Sequence, residues 1–271
     1  MNPTGNTILI TGGGTGIGRG LAEAFHRDGN QVIIAGRRRL MLETTARANP
    51  GMRHLTVDVE NLDDTQRFGA AVEAEFPALN VLINGAGIMK SENLKLGVED
   101  LAVAEQTVGI NLLGTFRITA ALMPLLLAQP KATIMTVSSG LAFVPIHTNP
   151  SYCATKAAIH SWTQSLRYQL RDTSVEVLEI APPYVQTELT GRFQAEDPNA
   201  MPLADYVNET MALLKSPFES GEILVDRVRS RRFAERDGKY DEFFEQWNGY
   251  AAKRQVERAA KGYEASRRPA G

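Results

Sequence analysis

The sequence predicts an α/β fold built on a doubly wound parallel sheet with helices on both faces. Short β-branched apolar runs alternate with longer stretches of helical period, and a glycine-rich turn follows the first run. The runs are continuously hydrophobic instead of alternating, which is the pattern of strands covered on both sides. Parallel strands joined by right-handed helical crossovers wind into such a sheet.

The first run, Thr7-Ile8-Leu9-Ile10-Thr11, reads as a strand, and Gly16 to Asp28 has the period of an amphipathic helix. Further strands are expected at Gln31–Ala35, His54–Val59, Val81–Asn84, Thr133–Val137 and Val175–Ala181, each separated by enough chain for a helix. No Pro/Gly/Ser linker or repeat interrupts residues 1–187, so residues 1–226 read as one domain. Within it, residues 188–220 carry Pro198, Pro202 and Pro217 between short helical patterns and read as an insertion above the sheet, not another βα unit. A last strand, Glu222–Asp226, closes the edge, and residues 227–271 form a helical extension. There Tyr240, Phe243, Phe244 and Trp247 make one stripe on a helix over Tyr240–Tyr250, and Lys253–Gly271 read as a frayed helix or tail.

A chain of 271 residues, 43% hydrophobic and 22% charged, is neither a mini-protein nor a disordered tail. A net charge of −2 argues against nucleic acid as a partner. The charge is unevenly spread: from Arg227 onward twelve Lys and Arg face seven Asp and Glu, a net +5, leaving −7 on the rest. The basic end reads as a solvated helical face. The longest apolar runs, such as Ala120–Ala128 broken by Pro124, fall short of the roughly 20 residues a membrane span needs, so none is expected. Cys153 stands alone and no Cys/His metal spacing occurs, so neither disulfide nor metal is expected. With no basic-then-apolar leader, a cytoplasmic location is the expectation.

Candidate chemistry begins at Thr11-Gly12-Gly13-Gly14-Thr15-Gly16-Ile17-Gly18, between the first strand and its helix. Glycines there let backbone approach a pyrophosphate while the helix N-terminus favours its charge, which nominates Gly12, Thr15, Gly16, Ile17 and Gly18. At the end of the second strand, where an NAD site usually places a carboxylate for the ribose 2′-hydroxyl, the chain reads Ala35-Gly36-Arg37-Arg38-Arg39. Guanidinium groups favour the 2′-phosphate of NADP(H) over NAD(H), with Arg37 the first candidate and Arg38 the second. Further on, Tyr152 and Lys156 stand four apart on an expected helix and share a face. An ammonium beside the phenol is expected to lower its pKa towards neutrality, as a general acid/base requires.

These features together, with Ser138-Ser139 ending a strand, resemble the short-chain dehydrogenase/reductase superfamily over residues 5–190. The chain ends look most like its DltE-like branch. The resemblance implies a Rossmann-type fold and hydride transfer between nicotinamide and a small carbonyl or alcohol substrate. It implies that Tyr152 moves the proton, Ser139 orients the substrate oxygen, and Lys156 holds the nicotinamide ribose and tunes Tyr152. Asn111 completes a proton relay. Asp58 is matched to the acid that contacts adenine, with Val59 beside it, and Asn84, Ala86 and Gly87 to the motif lying along the cofactor. Pro182, Val185 and Thr187 match the segment that binds the carboxamide. Gly85 and Pro183 depart from the usual Asn and Gly. Leu141, His147 and Tyr184 are candidate substrate contacts, Cys153 is a small packing residue, and His26, His54 and His160 show no ligand spacing. Many relatives pair long helices across subunits, so Val103–Leu127 and Ser151–Arg171 imply a homodimer or homotetramer.

Overall fold

The computed structural model describes residues 3–216 and 221–260. One sheet of seven parallel strands runs through it: β1 (Thr7–Thr11), β2 (Gln31–Gly36), β3 (Arg53–Thr56), β4 (Leu79–Asn84), β5 (Ala132–Val137), β6 (Val175–Ile180) and β7 (Glu222–Ile223). Their order, β3-β2-β1-β4-β5-β6-β7, reverses direction between β1 and β4. At that reversal the two crossovers leave in opposite directions and a crevice opens beyond the carboxyl ends of the strands.

The helices are α1 (Gly16–Arg27), α2 (Arg39–Ala48), α3 (Leu62–Glu75), α4 (Leu101–Val108), α5 (Gly114–Leu127), α6 (Pro150–Gln169), α7 (Arg192–Ala195), α8 (Leu203–Lys215), α9 (Asp226–Arg232) and α10 (Tyr240–Ala260). Alternate residues of a strand point to opposite faces, so β1 feeds two cores. Ile8 and Ile10 pack with Leu21 and Phe25 of α1, Leu42 of α2 and Tyr206, Val207 and Met211 of α8. Leu9 packs with Phe68 and Val72 of α3, Ile118 and Leu122 of α5 and Leu166 of α6. Each such fully buried side chain contributes roughly 1.5–3 kcal/mol.

Several sequence expectations change. β3 stops at Thr56 because the chain turns: the Asp58 N–H donates to Asp64 Oδ2 (2.7 Å) and Asp58 Oδ1 accepts from the Glu60 N–H (3.1 Å). β7 ends at Ile223, and Asp226 opens α9 with its N–H on Glu209 Oε1 (2.6 Å). Residues 188–220 are not simply an insertion, since β6, α8 and β7 make another parallel βα unit. The apolar stripe of α8 seats it beside α1, and Pro202 sits just ahead of the helix, where its missing N–H leaves no bond unmade. Pro217 falls outside the described residues.

The expected tail also differs. α10 continues to Ala260 because Arg254 pairs with the buried Asp197 and Arg258 donates to the Thr190 carbonyl (3.1 Å). The remainder of that segment, 261–271, lies outside the described residues. The run Leu101–Leu127, with mean hydropathy 1.6 over its most apolar window, is long enough by composition to span a bilayer. Half of that window is buried inside the fold, with Ile118, Leu122 and Leu126 against the sheet, which is the position of a core helix.

Candidate active site

The turn after β1 is shaped by close backbone approach. A Cβ on Gly12 would lie 2.7 Å from the Gly85 carbonyl oxygen, and one on Gly18 would lie 2.4 Å from the Gly12 carbonyl oxygen. Only glycine lets the strand, turn and helix meet this tightly. Thr15 precedes α1 in extended conformation; among the described residues no side chain caps the helix and no acid sits in its first turn. The first N–H groups of α1 therefore face the crevice with acceptors to gain.

Beside this turn, Arg38 Nη2 donates to Thr15 Oγ1 (2.8 Å), and Arg37 Nη1 stands 3.8 Å from Glu60 Oε2. Both arginines border a cavity of about 910 Å³ that the glycine turn also lines. Val57 and Val59, Gly85 to Ile88, Ser139, Tyr152, Lys156, Pro182, Val185 and Thr187 complete much of its wall. One crevice thus joins the expected phosphate turn to the expected proton-transfer residues.

Ser139 lies two residues beyond β5 in extended conformation, and its Oγ accepts from the Leu141 N–H (3.1 Å) and is hydrogen-bonded to Tyr152. Tyr152 and Lys156 occupy the first turns of α6, both buried. Lys156 Nζ donates to the Val137 carbonyl (2.7 Å) and lies 5.6 Å from the centre of the Tyr152 ring. Asn111 sits in a π-helical turn, Gly109–Leu113, between α4 and α5. Such an extra-residue turn is a frequent mark of functional sites. Its side chain holds Ile88, accepting from the N–H (2.8 Å) and donating to the carbonyl (2.9 Å). A Cβ on Gly87 would stand 3.3 Å from Asn111 Oδ1 and 3.8 Å from Lys156 Nζ, so the bare Gly87 leaves space between them.

The electrostatics reverse one expectation. Burial pushes the Tyr152 phenol up to about 12, against the opposing pull of the Ser139 hydrogen bond. Burial brings Lys156 down to about 8, with Glu179 acting the other way. Removal from water dominates both groups, and Lys156 spends a donor on Val137 instead of the phenol oxygen. Tyr152 is therefore a neutral O–H donor at neutral pH.

Other expected residues stand outside the cavity wall. Asp58 braces the Glu60 turn, Asn84 Nδ2 donates to Thr119 Oγ1 (3.0 Å), and Asn111 lies behind Gly87. Leu141, His147 and Tyr184 are not among the described residues lining the cavity. The His147 N–H donates to Asn248 Oδ1 (2.7 Å), and the Tyr184 hydroxyl donates to Asp197 Oδ2 (3.1 Å). Cys153 is buried, its thiol pushed up to about 11 by burial, as suits packing more than nucleophilic chemistry. His160, Glu179 and Glu222 bring ligand atoms within 4.8 Å of one another. Their partners are already protein groups: His160 Nδ1 meets Glu179 Oε2 (2.7 Å), and Arg232 spans both Glu222 oxygens (2.7 and 2.9 Å).

Gln194 carries no signal in the sequence. It is buried, lines the cavity, and donates through Nε2 to the Val185 carbonyl (2.8 Å) and Thr187 Oγ1 (3.1 Å). It shapes the segment that the sequence motif nominates, yet no motif spacing marks it.

The family model described as short chain dehydrogenase matches residues 6–198. The uncharacterized oxidoreductase DltE of Bacillus subtilis (strain 168) is 40% identical over 251 residues, covering 92% of this chain and 98% of that protein. The uncharacterized oxidoreductase SA2266 of Staphylococcus aureus (strain N315) is 29% identical over 218 residues, covering 79% and 93%. A short chain dehydrogenase from Burkholderia cenocepacia J2315 in complex with NADP superimposes with a TM-score of 0.74 at 23% identity, covering 96% and 98% of the two chains. An alcohol dehydrogenase from the archaeon Thermococcus sibiricus, complexed with 5-hydroxy-NADP, gives 0.73 at 22% identity, covering 81% and 95%. At these identities the structural likeness speaks for the fold.

Proposed function

Because the chain belongs to the short-chain dehydrogenase family of oxidoreductases, we propose that it transfers a hydride between NADP(H) and a carbonyl or alcohol carbon, with Tyr152 as general acid/base. The observation that carries this reading is the single crevice in which the uncapped N-terminus of α1, Arg37 and Arg38 share a wall with Ser139, Tyr152 and Lys156. Its volume, about 910 Å³, falls within the roughly 300–1,000 Å³ typical of ligand and cofactor sites.

The residues fit a dinucleotide. The tight glycine turn keeps side chains out of the way of a pyrophosphate, and the free N–H groups of α1 complement its charge. Arg38, with Arg37 beside it, suits a 2′-phosphate. Nicotinamide supplies the hydride acceptor and donor chemistry when bound. Lys156 holds the ribose hydroxyls, and Val185 and Thr187, steadied by Gln194, hold the carboxamide. Ser139 hydrogen-bonds the substrate oxygen, and Tyr152 gives that oxygen its proton in the direction of carbonyl reduction. Lys156 passes the replacement proton towards Tyr152, and Asn111, anchored on Ile88, orders the relay without giving up a proton of its own.

Val59, in the cavity wall, marks the adenine end, with Asp58 bracing the turn beside it. We place the subunit contact of a homodimer or homotetramer on the groove between α5 and α6. Phe116, Met123, Leu127 and Trp162 line this groove of about 520 Å³, and the Phe116 and Trp162 rings lie 4.6 Å apart. A cytoplasmic setting accords with the single free thiol of Cys153.

A panel of aldehydes, ketones and alcohols, followed at the nicotinamide absorbance band with each cofactor, tests the reading. Turnover with NADPH and weaker turnover with NADH is the expected result. Tighter NADH binding, unaffected by Arg37→Ala, would support an NAD(H) enzyme instead. NADPH binding with no turnover across the panel would support a cofactor-sensing protein.

A further inference from the structure

Arg231, in the last turn of α9, is only 6% exposed. Its guanidinium carbon stands 3.5 Å from the centre of the Trp247 ring. Among the described residues it has neither a hydrogen-bond acceptor nor a carboxylate partner, and the nearby charge acting on it is the like charge of Arg227. Burial, aided by Arg227, brings its pKa down to about 10, so it remains a cation at neutral pH. A buried cation without a counter-charge is costly, and stacking on one indole face offsets only part of that cost.

Glu222 and Asp197 are already engaged. Arg232 takes both oxygens of Glu222, while Asp197 accepts from Arg254, Tyr184 and Tyr250. The sequence expectation that the basic end is a solvated face therefore fails at Arg231.

Arg231 is not among the described residues lining the crevice, and its link to the proposed chemistry is the loop that follows Ser139. A Cβ on Gly140 would lie 3.3 Å from Arg231 Cδ and 3.4 Å from Nη1, so the guanidinium lies close against Gly140, which immediately follows Ser139. Asn248, next to Trp247, accepts from the His147 N–H (2.7 Å) and donates to the Pro145 carbonyl (3.2 Å). α10 is thereby fastened over the loop that begins at Ser139. With Trp247 covering one face, the N–H groups in the guanidinium plane are the ones left for a ligand, and a planar carboxylate matches that edge with two parallel hydrogen bonds.

We propose that Arg231 receives a carboxylate of the substrate, so that the carbonyl compound reduced at Ser139 and Tyr152 is an oxo acid and the alcohol oxidised there is a hydroxy acid. This assignment rests on the oxidoreductase reading above and narrows its substrate class. Arg231 recognises the anion, and the hydride and proton steps remain those already described.

The test compares a graded series of straight-chain oxo acids, each beside its methyl ester, in the full-length protein with NADPH. For the preferred chain length, kcat/KM is expected to favour the acid by about tenfold or more, equivalent to about 1.4 kcal/mol. Arg231→Met is expected to collapse that acid-to-ester ratio, and Arg231→Lys to restore part of it. Equal kcat/KM for acid and ester in the unmodified protein, or an unchanged ratio in Arg231→Met, would overturn the proposal. A preference for carbonyl compounds carrying a phosphate ester in place of the carboxylate would overturn it too.

A second readout needs no turnover. The chain has two tryptophans, so Trp162→Phe leaves Trp247 as the reporter of Arg231. The oxo acid, and not its ester, is expected to shift Trp247 emission, with the shift lost in Arg231→Met. An Arg231-dependent shift without turnover would sink the oxidoreductase reading and leave the anion site standing. Turnover of neutral carbonyls without such a shift would do the reverse. If Arg231→Met fails to fold, the acid and ester comparison in the unmodified protein decides the matter.

Discussion

Glu92 grips Ser151 through both carboxylate oxygens: Oε1 accepts from the Ser151 N–H (3.1 Å) and Oε2 from its hydroxyl (2.5 Å). Ser151 directly precedes Tyr152 in the first turn of α6. Asn149, just ahead of the helix, makes no side-chain cap there and instead donates to the Lys90 carbonyl (2.8 Å). The helix that carries the proposed acid is thus capped from a loop after β4, and Glu92 is a positioning residue for Tyr152.

Glu92→Ala is expected to leave the Ser151 N–H without its partner and destabilise the fold by ~1–3 kcal/mol, read as a lower melting temperature. It should lower kcat more than it raises KM for NADPH, because Tyr152 shifts while the α1 turn does not. Glu92→Gln, which keeps an acceptor for the hydroxyl, should recover much of kcat. A change confined to KM for NADPH would contradict the positioning role.

Arg38→Ala removes a cation held beside Thr15 at the edge of the α1 turn. Loss of a charged hydrogen bond worth ~1.5–3 kcal/mol corresponds to roughly 10–150-fold weaker NADPH binding. NADH binding should change little, and isothermal titration with the two cofactors separates the cases.

The pH dependence follows from Lys156 and Tyr152. Lys156 is charged below about 8, whereas Tyr152 keeps its proton up to about 12. Carbonyl reduction should therefore decline as pH rises through about 8, with Lys156 setting the limb, and Lys156→Arg should move that limb upward. The same depressed pKa has a stability consequence. Unfolded Lys retains its proton to about 10.4, so the unfolded chain binds more protons between about 8 and about 10, and Lys156 makes stability rise with pH in that window.

Asp197 fastens α10 to the segment after β6. Burial opposes its ionisation, but the Asn199 N–H, Arg254 and Tyr184 together hold its carboxyl below the usual carboxylate range. Its contribution is present above the unfolded pKa near about 4 and is lost as pH falls through the lower folded value. The melting temperature should fall on acidification in that range, and Asp197→Asn should weaken the fall. Unmodified and variant proteins with identical acid melting profiles would contradict this.

What the sequence makes legible here is local. The glycine turn follows β1 directly, and Tyr152 and Lys156 share a helical face by spacing alone. The doubly wound parallel sheet follows from continuous apolar runs and right-handed crossovers. The unread part depends on chain segments far apart in sequence. Tyr206 and Met211 show that α8 belongs to a helix layer only when α1 is beside it. Gln194 gains meaning from Val185 and Thr187 across a turn. The sign of the Tyr152 shift depends on enclosure, which spacing to Lys156 does not report. Arg231 becomes a buried cation only once Trp247 and Gly140 close around it.

The most direct test of the central claim is turnover by Tyr152→Phe at saturating NADPH with the best carbonyl substrate, alongside NADPH binding by titration. Removing the proton donor while keeping the ring should lower kcat by roughly 10²–10⁴-fold and leave NADPH bound. Undiminished kcat in Tyr152→Phe would contradict the account.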